Sequence, residues 1–224
     1  MRTLLTALLC LGTVAAQDAK PEPRKDLATN LCVRGKPLFA DDFAGTDLPA
    51  GWKVAKGKWT VADGVLKGSE LAADMHAAVI KRALPFRNIV VQYSFKFEGA
   101  KRTALSMDGK GHVCRVTLTP QGFALQRDAA KDSGEKPTVL GKGTIEFKPG
   151  EWHTLLIEVQ GKEMLAQVDD KVFAFGEHEG IDVDKASIGL PTGGESVIFD
   201  DVRAWEAQPN PDWPAAKAKL SGKS

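Results

Sequence analysis

The middle of the chain concentrates side chains suited to holding an oxygen-rich ligand. Arg102, Ser106, Asp108, His112, Arg115, Gln126, Arg127 and Asp128 fall within one run of short segments and turns. Guanidinium, carboxylate and amide groups are planar hydrogen-bonders that match sugar hydroxyls, and an aromatic surface suits the ring face of a pyranose. Tyr93, Trp52 and Trp59 could supply that surface. The expectation is a carbohydrate site built from Tyr93, Arg102, Asp108, Arg115, Arg127 and Asp128. The competing reading makes the polar set a solvated sheet face and puts the tryptophans in the core. Strand alternation separates His112 from Arg115, so the full set cannot share one face.

Other chemistries find less support. Glycoside hydrolysis needs two carboxyl groups across the scissile bond. Asp108, Asp128 and Glu98 could converge, but no single strand supplies such a pair. The four histidines, His76, His112, His153 and His178, lack the HExxH spacing of a helical zinc site. His178 lies between two glutamates in GEHEG and reads as an exposed loop, and His153 reads as structural. There is no GxSxG elbow for a serine nucleophile and no phosphate-cradling glycine loop before a helix.

Two Asp-Asp pairs, ADDF at 40–43 and FDDV at 199–202, sit near the two ends of the patterned region. In a sandwich whose first and last strands pair, these carboxylates would meet, and adjacent carboxylates repel unless something offsets them. Three readings stay open: solvated charges guarding a sheet edge, acceptors for backbone N–H groups or Arg203, or ligands of a structural Ca²⁺ through Asp42 and Asp200.

The elements that must position these groups repeat with a period of two. In IVVQYSFKF, Ile89, Val91, Tyr93, Phe95 and Phe97 share one face, and HTLLIEV, MLAQV, HVCRVTL and GFALQRD alternate likewise. ADG at 62–64, DGKG at 108–111, TPQG at 119–122, EVQGKE at 158–163 and VDDK at 168–171 read as hairpin turns. MHAAVIKRAL is the one helix-like stretch, and a strand at about 77–82 is the preferred reading. Many short strands with regular turns predict an all-β jelly-roll β-sandwich of two antiparallel sheets.

Residues 1–16 carry Arg2, an apolar run from Leu4 to Leu11 and small residues at Val14–Ala16, the pattern of an export signal too short to span a bilayer. The expectation is an exported protein, periplasmic or extracellular. Residues 17–36 read as a polar linker, 37–207 as the domain and 208–224 as an exposed tail whose Trp213 could fold back onto the domain. Export would permit a Cys32–Cys114 disulfide, although Cys114 reads equally well as a buried thiol. Without Arg2 the 29 acidic residues face as many basic ones. That balance argues against nucleic acid or membrane as partner and leaves a glycan as the expected one.

The stretch LFADDFAGTDLPAGWKVAKGKWTVADGVLKG resembles the opening of secreted concanavalin A-like jelly-roll domains. PGEWHTLLIEVQGKEMLAQVDDKVF resembles their later hairpin, and DKASIGLPTGGESVIFDDVRAWEA their closing strands. The resemblance, over about residues 37–207, is to the 3-keto-disaccharide hydrolase-like domains and related lectin and glucanase modules. It implies a concanavalin A-like fold and a carbohydrate ligand. The Asn-Ser-Gly stretch usual in the hydrolase-like family is replaced here by RTALSMDGKGHVCRV, and the E-x-D-x-x-E of jelly-roll glucanases is absent, so catalytic residues stay unassigned. Three functions follow: a sugar-binding module, a glycan hydrolase or lyase of the 3-keto type, and an envelope interaction domain without a small ligand.

Overall fold

Residues 26–130 and 133–221 are described by a computed structural model. The segment 1–16 read as an export signal lies outside the described residues. In chain order the strands are β1 (Cys32–Asp41), β2 (Trp52–Lys56), β3 (Lys58–Ala62), β4 (Val65–Ser69), β5 (Ala78–Phe86), β6 (Ile89–Asp108) and β7 (His112–Thr119). They continue with β8 (Gly122–Arg127), β9 (Thr138–Thr144), β10 (His153–Gln160), β11 (Glu163–Val168), β12 (Val172–Glu177) and β13 (Lys185–Pro209), before the helix α1 (Trp213–Ser221).

β6 and β13 each serve two layers. The first half of β6 pairs with β10, and the last part of β13 with β4 and β1, giving a sheet ordered β12-β11-β10-β6-β13-β4-β3 with β1 alongside β13. The second half of β6 pairs with β7, and the first part of β13 with β5, giving β9-β8-β7-β6-β13-β5-β2. The strands turn between layers where the register slips, around Gly193, Gly194 and Ser196 opposite Gly99. Gly99 (φ +84) and Gly194 (φ +101) hold backbone angles that a side chain resists. This is the jelly-roll sandwich of antiparallel sheets that the period of two predicts.

Between the layers the faces that alternation marked as apolar meet. Phe95, Phe97 and Phe147 form an aromatic knot with ring centroids 5.2 to 5.9 Å apart. Each such fully buried side chain contributes roughly 1.5–3 kcal/mol. Cys114 lies in this core, whereas Cys32 belongs to a separate cluster with Leu31, Val90, Leu156, Leu165 and Trp213 on the outer face of the first sheet. Both cysteines are free and buried, so the structure has no Cys32–Cys114 disulfide.

That second cluster ties the segments before β1 and after β13 to the first sheet. The first strand begins at Cys32, five residues earlier than the period suggests, because the preceding segment is tied down. Glu158 accepts the N–H groups of Asn30 and Cys32, and Gln92 accepts that of Leu27. The tail is not wholly exposed: Trp213 is 7% accessible, lies tilted against Phe175 with ring centroids 5.2 Å apart and donates from Nε1 to Glu163.

The two Asp-Asp pairs are neighbours, since β1 and β13 pair with Asp41 opposite Val202. Each carboxylate has protein partners. Asp41 accepts from Trp52 Nε1 (2.7 Å) and Arg82 (3.0 Å), and Asp201 pairs with Arg203 (2.8 Å). Asp42 accepts from the Ala44 N–H and Asp200 from that of Asp201. Among the described residues no three His, Cys, Asp or Glu side chains gather as a metal site.

Candidate functional site

The polar residues of the middle strands meet on the outer face of the second sheet. Ile80, Leu105, Met107, Cys114, Val116, Leu125, Ile188 and Leu190 point inward and are fully buried. Their strand neighbours therefore point outward. Register then sets one row across five strands: Lys81 opposite Gly189, Gly189 opposite Ser106, Ser106 opposite Arg115, and Arg115 opposite Gln126. Gly189 and Ser106 leave the middle of the row low. A Cβ on Gly189 would stand 2.8 Å from Ser106 Oγ.

Two buried carboxylates anchor this row, each 5% accessible. Asp108 takes His112 Nδ1 at 2.7 Å on one oxygen. Its other oxygen has the Lys81 ammonium at 2.9 Å, an ion pair without hydrogen-bond angles. Asp128 receives Arg115 through both Nε and a terminal nitrogen, each at 2.9 Å, and Gln126 Nε2 at 2.7 Å. The pairings hold the basic heads in fixed positions above a groove of about 190 Å³. Ala104, Ser106, Pro191 and Gly193 lie along it, with His76, Lys81, Arg102, His112 and Arg115 around it. It adjoins a wider cavity of about 780 Å³ beside the Glu70–Ala77 loop, with which it shares His76, Ala77 and Arg102.

Of the residues singled out from the sequence, Arg102, Arg115, Asp108 and Asp128 belong to this assembly, and His112 joins them. A register shift between Met107 and Asp108, at the Gly109–Gly111 turn, carries His112 to the groove despite its parity. Arg127 does not belong. It keeps the inward parity of Phe123 and Leu125, pairs with Glu135 and lines a further cavity of about 590 Å³, bordered also by His112 and Asp128, beside Gly180 and Val183. Tyr93 is no sugar platform: it is fully buried between Phe95 and Phe199, and burial pushes its phenol far above the ordinary range. Trp52 is 5% accessible and Trp59 stacks on Phe199, so both tryptophans serve the core. Glu98 sits at the corner of the sheets with Lys67 and Lys96, apart from Asp108 and Asp128.

Sequence reasoning missed Lys81, His76 and Gly189. Lys81 faces away from Ile80 along its strand, and pairing through β13 brings it to this sheet's polar row. A glycine between Ile188 and Leu190 inside a strand is itself a sign of close approach.

The molecule is a jelly roll with a groove of hydrogen-bonding side chains on the outer face of one sheet. The sequence pattern of the 3-keto-alpha-glucoside-1,2-lyase-like domain matches residues 36–204, and the chain belongs to that family. No curated protein matches it in sequence. Solved structures with the same fold include the carbohydrate-binding module CBM66 from Bacillus subtilis (TM-score 0.57, 13% identity, covering 70% of this chain and 96% of that one). The laminarinase from Rhodothermus marinus gives a TM-score of 0.58 at 13% identity over 77% of this chain and 97% of that one. The endo-β-1,3-glucanase from Pyrococcus furiosus gives 0.60 at 13% identity over 78% and 95%.

Proposed function

We propose that this chain, after export, binds a carbohydrate in the groove on the outer face of its second sheet. The observation that carries the reading is the low Gly189–Ser106 floor between Lys81 and Arg115, whose heads are held by buried carboxylates. Donors fixed in advance cost little ordering on binding. The family and the carbohydrate-binding and glucanase neighbours support a glycan ligand. The export pattern of residues 1–16 supports a periplasmic or extracellular setting.

A glycan array with a screen of oxidised disaccharides tests it, using the wild type, Arg115→Ala and Gly189→Val. A valine there meets Ser106 Oγ and Lys81 Cγ, and loss of Arg115 strips the buried Asp128 of its guanidinium, so both variants should melt lower while staying folded. Loss of binding in both, with native circular dichroism retained, is expected. Undiminished binding in both removes the site.

One observation favours a second reading, in which the bound sugar is also cleaved. His112 is half exposed at the groove, and its Nδ1 is taken by Asp108. The carboxylate orients the ring and leaves the other nitrogen able to accept a proton. The family description names a lyase acting on 3-keto-glucosides. A ketone at C3 acidifies the C2 proton; its removal sends the electron pair toward the carbonyl, and return of that pair expels the C1 substituent. In this reading His112→Ala keeps sugar binding and abolishes turnover of a 3-keto-disaccharide. Equal turnover in the variant refutes it.

A further inference from the structure

Resting on the proposed carbohydrate site, we infer that the groove receives an anionic group carried by the sugar, namely a carboxylate, sulfate or phosphate. His76, Lys81, Arg102, His112 and Arg115 border the groove, and no carboxylate does. The acids of this face, Asp108 and Asp128, do not line it; each is 5% accessible and already engaged. Their effect is to hold the His112, Lys81 and Arg115 heads in place. The whole chain carries a formal charge of only +1, so this clustering is local.

Arg102 sharpens the point. It is exposed and has no ion pair among the described residues. Its Nε would be 3.0 Å from a Cβ on Gly193, so the missing side chain lets the guanidinium stem lie close against β13. Arginine in such a setting offers the planar fork that matches a carboxylate or a sulfate face. The adjoining wider cavity differs: Glu70 and Glu195 stand there with Lys101, a mixed lining suited to neutral hydroxyls. The acidic group therefore belongs at the sheet end of the groove, and the rest of the glycan extends toward the Glu70–Ala77 loop.

Calorimetric titration of matched disaccharides tests this. Each set is identical except at C6, which carries a hydroxymethyl, carboxylate, sulfate or phosphate. At low ionic strength the acidic members are expected to bind at least about tenfold more tightly than the neutral one, an advantage that shrinks as salt is added. Arg102→Gln is expected to remove most of that advantage without moving the melting temperature, and Lys171→Gln, on an exposed turn elsewhere, to leave it intact. A preference for the carboxylate alone identifies a uronate; equal gains from all three anions identify recognition of charge. Equal affinity for neutral and acidic sugars overturns this inference and leaves the carbohydrate site standing. Inorganic sulfate binding as tightly as the sulfated sugar also overturns it. Failure of every sugar in the set and on the array removes both.

Discussion

Glu158 should make this protein less stable as the solution turns from acidic to neutral. Its side chain is 0% accessible on β10, beneath the segment that leads into β1. Its two oxygens accept the Asn30 N–H at 3.0 and 3.1 Å, and one also accepts the Cys32 N–H at 2.7 Å. Burial outweighs these donors and pushes the acid up from 4.5 to about 7. Between those values the folded protein holds a proton that the unfolded chain has released. The group's contribution is therefore fully present below about pH 4.5 and is lost as pH rises through about 7. The difference corresponds to about 3 kcal/mol at most. Glu158→Gln keeps the shape and cannot titrate, but its amide turns N–H toward one backbone donor, which costs about 1–3 kcal/mol. Urea unfolding from pH 5 to 8 on both proteins isolates the effect, because the other titrating groups cancel in the difference. The wild type should lose stability relative to the variant across that range. Parallel curves, or a wild type that gains on the variant with rising pH, would show that the backbone donors hold the carboxylate ionised and refute the reasoning.

Lys185 is 2% accessible and donates to the carbonyls of Arg87, Ile181 and Val183 at 2.8 to 2.9 Å. Lys185→Met should cost roughly 2–4 kcal/mol by leaving those acceptors unpaired, measured by chemical denaturation. Trp213→Ala should cost roughly 3–5 kcal/mol and expose the Leu165–Phe175 surface, seen as a lower melting temperature and faster amide exchange in β11. Burial pushes the Cys114 thiol up to about 12; native protein should react slowly with a thiol reagent, and a reductant should leave its melting temperature unchanged. Melting with and without a chelator should coincide, and a clear shift would mark Asp42 and Asp200 as metal ligands.

The layers of this molecule were legible because alternation is a local property of the chain. Ile89 through Phe97 and the strand of Leu155 and Ile157 follow from side chains pointing to opposite faces of an extended backbone. The same rule put Arg115 and Asp128 on an outward face and kept Arg127 with Phe123 and Leu125. It put Tyr93 among the core phenylalanines, although residue type alone offered it to a ligand.

What lay beyond reach depended on partners far away in the chain. Whether Lys81 meets Asp108 is decided by β13 lying between β5 and β6, a choice made by the packing of whole sheets. A one-residue slip at the Gly109–Gly111 turn reversed the facing of His112, and no pattern in HVCRVTL announces it. Composition and period thus determined a two-layered β protein with its polar residues on sheet faces. Only the tertiary structure determined which cations share a groove, because the floor beneath them is made by residues that matter for what they lack: Gly189 and Gly193 have no side chain to leave a signal.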